Sequence, residues 1–156
     1  MAASSTLSPD SIHGGPAIAT LSGTIDKLGK NGTIDRGDIF CVEKVGSATL
    51  FNFESGGTGN LAIAAEAVTL NHNQLKHGGL VHIPVVVFGR TQVNLFKAGN
   101  KKYHGGDMAY IHSNFELDDS APGGAYTSYR VTFLHPDEPM KTEPYPYEVF
   151  VEPYRP

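Results

Sequence analysis

The chain has 156 residues, a formal net charge of −4 and 18% charged residues, against roughly 25% charged in an ordinary soluble domain. Its length suits one domain around one core, and without any block of Lys or Arg it offers no footprint for nucleic acid. No stretch of apolar residues is long enough for a membrane span, and the first residues lack the basic start and apolar run of a secretory signal. Gly and Pro together make 28 of 156 residues, well above the usual share of roughly 12%, so turns and strands are expected in place of long helices.

Residues 1–19 are small and polar, with His13-Gly-Gly-Pro16 near their end. Such a composition cannot bury enough surface to fold alone, and an extended arm lying on something else is expected. Gly23-Thr-Ile-Asp26 and Gly32-Thr-Ile-Asp35 echo one another across Lys30-Asn31-Gly32, which predicts a hairpin with an Asn-Gly turn. The same Asn31-Gly-Thr33 matches a glycosylation acceptor, but nothing marks secretion and the turn reading stands.

Residues 37–98 read as two strand pairs joined by one weakly helical connection. Asp38-Ile-Phe-Cys-Val-Glu43 and Ser47-Ala-Thr-Leu-Phe-Asn-Phe53 form the first pair, ended by Ser55-Gly-Gly-Thr-Gly59. Leu61-Ala-Ile-Ala-Ala65 is open to strand or helix, and 66–75 suits a helix of two turns. Residues 83–88 are β-branched and apolar throughout, predicting a buried strand with Pro84 at an edge or entry. Further strands are expected at 92–97, 108–115 and 125–134. In the last, Tyr126, Ser128, Arg130 and Thr132 share one face, and Tyr129, Val131 and Phe133 the other. Residues 143–156 carry repeated Pro and Tyr and leave room for one short strand. The expected core is Ile39, Cys41, Leu50, Phe51, Leu61, Ile63, Val85, Val87, Leu95, Val131 and Phe133. The expected division is an arm at 1–19, a β domain at 20–134 and a Pro/Tyr-rich C-terminal extension at 135–156.

Chemistry is thinly represented. Cys41 is the single cysteine and sits in an alternating apolar run, the setting of a buried thiol and not of a nucleophile. Three His-Gly-Gly triplets at His13, His77 and His104, with His72, His82, His112 and His135, raise the question of a metal. His77 with His82, or His104 with His112, could converge on an ion, but no His-x-His or Cys pair supports it and no metal or cofactor is expected. A Gly-x-Ser-x-Gly elbow is missing, Ser55-Gly-Gly-Thr-Gly59 has no following Lys, and Asp118-Asp119 reads as a solvated loop. The chain is expected not to be an enzyme. Tyr145, Tyr147 and Tyr154 could form an oligomer or partner contact, or finish the chain's own core.

Arg36-Gly-Asp-Ile-Phe-Cys-Val42, Ala48-Thr-Leu-Phe-Asn-Phe53, Asn60-Leu-Ala-Ile-Ala-Ala-Glu-Ala-Val68, Val81-His-Ile-Pro-Val-Val-Val-Phe-Gly89 and Gln92-Val-Asn-Leu95 together resemble the head decoration (capsid cement) proteins of tailed bacteriophages, lambda type. The resemblance implies an all-β, β-tulip or barrel-like domain on the capsid exterior, made in the host cytoplasm. It further implies a homotrimer at three-fold positions whose arm contacts the major capsid protein, here through Thr6, Leu7, Ser8, Pro9, Ile12, His13 and Pro16. Lambda-type members are shorter, and 125–156 has no counterpart in them. The alternatives are a β-rich binding module of the tail-fibre or adhesin kind and a His-based, cupin-like metal protein.

Overall fold

The computed structural model describes residues 15–29, 32–95, 103–134, 137–138 and 145–155. The elements are β1 (Ala17–Lys27), β2 (Thr33–Ile34), β3 (Ile39–Val45), β4 (Ala48–Asn52), β5 (Asn60–Ile63), β6 (Val68–Thr69), helix α1 (His72–Lys76) and β7 (Val81–Leu95). They continue with β8 (Tyr103–His104), β9 (Met108–Ile111), β10 (Leu117–Asp118), β11 (Ser128–Phe133), β12 (Asp137–Glu138) and β13 (Tyr145–Tyr154). Nine strands form one sheet in the order β10-β9-β11-β13-β7-β1-β4-β3-β5, and β2–β6 and β8–β12 are two-stranded ribbons. The fold is all-β and mostly antiparallel, and the sheet stays open instead of closing into a barrel.

The sheet has two wings that share β7. Residues 81–88 of β7 pair with β1, and residues 89–95 pair with β13. The wings face each other across one core: Ile39, Cys41, Leu61 and Ile63 from the first meet Ala109, Ile111, Val131, Phe133, Val149 and Val151 from the second. Tyr103 stacks on Phe133 with centroids 4.5 Å apart, and Tyr147 meets the same ring edge-on at 5.5 Å. The buried Tyr129 hydroxyl donates to the Val86 carbonyl at 3.0 Å, tying β11 to β7. Along the seam, Leu61 N–H donates to Thr127 O at 3.0 Å and Thr127 N–H to Asn60 Oδ1 at 2.8 Å.

A second core lies on the far side of the first wing, where Phe40, Phe51, Ala62, Ala64, Val81, Ile83 and Val85 are covered by Ile34, Leu70 and the partly buried Val68 and Leu75. Phe40 stacks on Phe53 at 4.6 Å. Residues 39–41 of β3 and 61–63 of β5 therefore bury both faces, as strands covered on each side do. Ile39 and Cys41 enter one core and Phe40 the other, as period-two alternation requires.

Several expectations need correction. Gly23–Asp26 and Gly32–Asp35 do not form a hairpin. β1 takes β7 and, in parallel, β4 as partners, while β2 pairs with β6. The strands at 60–63 and 81–95 are not a pair: β5 takes β3, and that region meets β7 through the isolated bridge of Ala64 and Val85. The two-turn helix shrinks to five residues, capped by Asn71, whose side chain accepts from Gln74 N–H. Of the expected core, Leu50 is only half-buried and Val87 is 41% exposed, while the Leu95 side chain lies outside the described residues. Val87 turns outward because the β1–β7 register slips opposite it, between Ala17 and Ile18; a bulge of this kind breaks alternation. Pro84 lies near the start of β7 as expected, on a stretch whose side away from β1 meets only the isolated bridge of Ala64 and Val85 among the described residues. Its carbonyl accepts from Ala65 N–H at 2.8 Å, and N–H and C=O of one residue point to the same side in an antiparallel ladder. The missing donor thus faces away from β1.

The largest departure is at the C-terminus. The expected short strand is ten residues long and lies inside the sheet, between β11 and β7. Likewise, residues 17–19 belong to β1. A chain ending at Leu134 therefore loses a shared internal strand and is expected not to fold, seen as loss of a cooperative thermal transition; a cooperative melt of that fragment would contradict the placement of β13.

Burial raises the Cys41 thiol from its ordinary 9.0 to about 11, with a further push from Glu43. Burial also raises Tyr129 to about 12. Both groups hold their protons more tightly folded than unfolded, so their contribution is complete below the unfolded values and is lost as pH rises. Stability should fall from about pH 9 upward, and Cys41→Ala should flatten the slope between roughly pH 9 and 10, before the tyrosines enter. Urea midpoints at stepped pH check this; an unchanged slope in the variant would contradict it.

Candidate interaction surfaces

With Val131, Val149 and Val151 turned inward, the alternate residues of the second wing form its outer face. Direct cross-strand neighbours there are Met108, Thr132, Phe150 and Arg90 in one row, and Tyr110, Arg130 and Glu152 in the next. Arg130 Nε donates to Glu152 Oε1 at 2.9 Å, and its Nη2 donates to the same oxygen. Tyr110 and Tyr154 meet edge-on at 5.0 Å, as do Phe88 and Phe150. Met108 is 55% and Phe88 47% exposed. Rings, a neutralised ion pair and the exposed Arg90 thus stand on one sheet face, and Tyr, Phe, Met and Arg are the types enriched in protein interfaces.

A second surface lies beside β1. β4 pairs with β1 only from Thr24 onward, so among the described residues no strand lines the edge of 17–21 opposite β7. Next to that edge is a mainly apolar groove of about 400 Å³, with Ala19, Leu21, Val42, Leu61, Val87 and Tyr129 among its walls. Ile18, at 49% exposure, stands close by.

The residues singled out in the sequence fall as follows. Tyr147 is 1% exposed and belongs to the core, so its ring presents no surface to a partner. Tyr154 is on the outer face, half-buried against Tyr110. The Tyr145 side chain, like Thr6, Leu7, Ser8, Pro9, Ile12 and His13, lies outside the described residues. Pro16 is half-buried beside Gly89, where an added Cβ would stand 3.0 Å from Pro16 Cα. Phe88, Phe150, Met108 and Tyr110 were missed as surface residues. The only signal was the alternation of Glu148, Phe150 and Glu152 against the buried valines.

The histidines are spent individually. His82 Nδ1 is 2.7 Å from Ser22 Oγ, His112 Nε2 is 2.8 Å from Ser120 O, and the His72 and His77 rings meet edge-on at 5.1 Å. Among the described residues, no group of three or more His, Cys, Asp or Glu could hold a metal ion; His13 and His135 lie outside them. Asp118 accepts from the Ser120 backbone N–H at 2.8 Å and its hydroxyl at 2.7 Å, which holds the carboxyl below its usual range. No helix among the described residues is long and apolar enough to cross a membrane.

No family model matches the chain, and no curated protein matches it. Among solved structures, it is similar to the head fibre gp8.5 N base of bacteriophage phi29, with a TM-score of 0.49 and 7% identity over 87% of this chain and 95% of that one. At that TM-score and identity the likeness defines neither family nor function. The lambda-type resemblance has no family match behind it.

Surface and core should respond differently to substitution. Arg130→Met breaks a half-exposed pair and should move the denaturation midpoint little, since exposed pairs contribute little. Ser128→Ala removes a buried hydroxyl that donates to Ile111 O and should cost about 1–3 kcal/mol. Urea unfolding of the two variants checks the contrast; equal losses would contradict it.

Proposed function

We propose that this chain is a non-enzymatic structural protein of a phage virion, bound to the exterior of the expanded head and stabilising the shell. The observation that carries the reading is the outer face of β9, β11, β13 and β7. It presents the exposed Met108 and Phe88 beside the half-buried Phe150, Tyr110 and Tyr154 on one sheet face, an arrangement suited to another protein's surface and not to enclosing a small molecule. The sequence likeness of residues 36–95 to decoration proteins points to the capsid as that surface. His82, His112 and Asp118 are engaged in local contacts, which supports reading the chain as a binding protein.

Such a protein would act by linkage: it binds the assembled lattice and not the broken one, so each occupied site holds the shell together. At free protein about 100-fold above the dissociation constant, the stabilisation is about 2.7 kcal/mol per site. Because the face carries apolar rings, one internally neutralised pair and the exposed cation of Arg90, binding should fall only moderately with salt.

The test is co-sedimentation with expanded phage heads that lack the protein. Saturable binding that raises the temperature of head opening is expected, with Phe150→Ser and Met108→Ser weakening it at least about tenfold, or 1.4 kcal/mol. Absence of binding would overturn the reading, and a steep loss at moderate salt would overturn the apolar contact.

A further inference from the structure

We propose that the N-terminal segment of one copy, residues 1–14, docks as an added strand in the groove beside β1 of a second copy and so links copies of this chain. The inference does not depend on the head-surface reading, which uses the outer face of β9, β11 and β13.

The receiving site has two features. Residues 17–21 of β1 pair with β7 on one side, and among the described residues no strand lies along the other. Such an edge offers a row of backbone donors and acceptors to another extended chain. Beside it, the groove supplies an apolar wall from Ala19, Leu21, Val42, Leu61, Val87 and Tyr129. Ala19 and Leu21 share the face of their partners Val85 and Ile83 in the second core, while Leu61 and Tyr129 belong to the first, so the groove takes walls from both. An apolar, hydrogen-bonding slot of this kind fits a strand better than a soluble small molecule.

The occupant is argued from the chain itself. Fourteen residues precede Gly15, and extended they reach about 46–50 Å, enough to cross to a neighbouring domain. Leu7 and Pro9 are two positions apart and fall on one face of an extended strand, with Ser8 and Asp10 on the other. Pro9 is tolerated because an added strand is an edge strand. Asp10 is the only Asp, Glu, Lys or Arg in the segment, so little charge would be buried.

The direction of departure selects a second copy over the same one. Pro16 restricts Gly15 to extended backbone and packs beside Gly89 at the end of the β1–β7 pairing. At Gly15 the chain thus enters β1 in line with the strand, on the side away from Ala19 and Leu21. The groove lies alongside the strand, in the opposite direction. Arms passed from copy to copy form a heterologous contact that closes into a ring when the rotation allows.

The test uses the full chain. Leu7→Cys and Ala19→Cys variants, one of them isotope-labelled, are mixed and oxidised, and the products are weighed by mass spectrometry. Mixed disulfide dimers joining the two introduced thiols are expected, with none from the wild type, whose Cys41 is buried. When both substitutions are placed in one chain, a ladder of linked chains is expected. A bond closed within one chain, or none, would overturn the proposal. Sedimentation provides the second readout: the wild type should be oligomeric, while Ala19→Lys, at an exposed position, and deletion of 1–14 should sediment as folded monomers. A monomeric wild type, or either variant retaining the wild-type oligomer, would equally overturn it.

Discussion

The fold depends on one strand that serves two wings. β7 runs for fifteen residues and passes from β1 to β13 at Gly89. Gly89 has φ +116°, and an added Cβ would meet Pro16, so only glycine fits the hand-over without strain. A second clamp sits near the far end of β7. Gly37 N–H donates to Ala64 O, and Gly37 O accepts from Asn94 N–H, both at 2.8 Å. Asn94 Nδ2 also donates to Arg36 O at 2.8 Å and to Asp38 Oδ1 at 3.1 Å. The step before β3 is thereby fixed to the second-wing half of β7, and the wings are held at the separation their shared core requires. Long-range pairing of this kind is costly in chain entropy until both wings are in place, which ties the arrival of β13 to the rest of the fold.

Local chemistry made part of this legible. Ile39 and Cys41 could be assigned to the interior together because residues two apart on a strand share one face. Tyr129, Val131 and Phe133 could be assigned because strict alternation leaves only one face for the core. The β3–β4 hairpin followed from a short turn between two such runs. What local signals could not supply was partner choice. The echo at 23–26 and 32–35 has hairpin chemistry, yet β1 gains more by burying Leu21 and Ile25 against the second core than by pairing with a two-residue strand. Val87 was misplaced because a bulge shifts alternation without leaving a mark in composition.

β13 shows the same limit more sharply. Pro146 and Pro153 argue against an internal strand, and the segment reads as a tail. Its place in the sheet comes from Tyr147, Val149 and Val151, all at 1% exposure or less, which complete a core that the first 134 residues leave open. Once those three point inward, Phe150 must point outward. The candidate contact face is therefore a consequence of core packing, which explains why the sequence drew attention to the tyrosines and not to Phe150, Phe88 or Met108. Of the tyrosines singled out, Tyr147 is consumed by the core and Tyr154 takes part in the face.

Whether this face meets a capsid is tested most directly by cryo-electron microscopy of expanded heads saturated with the protein. The expected result is added density on the outer shell surface, following the lattice symmetry, with the face of Phe150, Tyr110 and Met108 toward the capsid subunits. Heads without added density, or with the domain bound and that face turned to solvent, would contradict it.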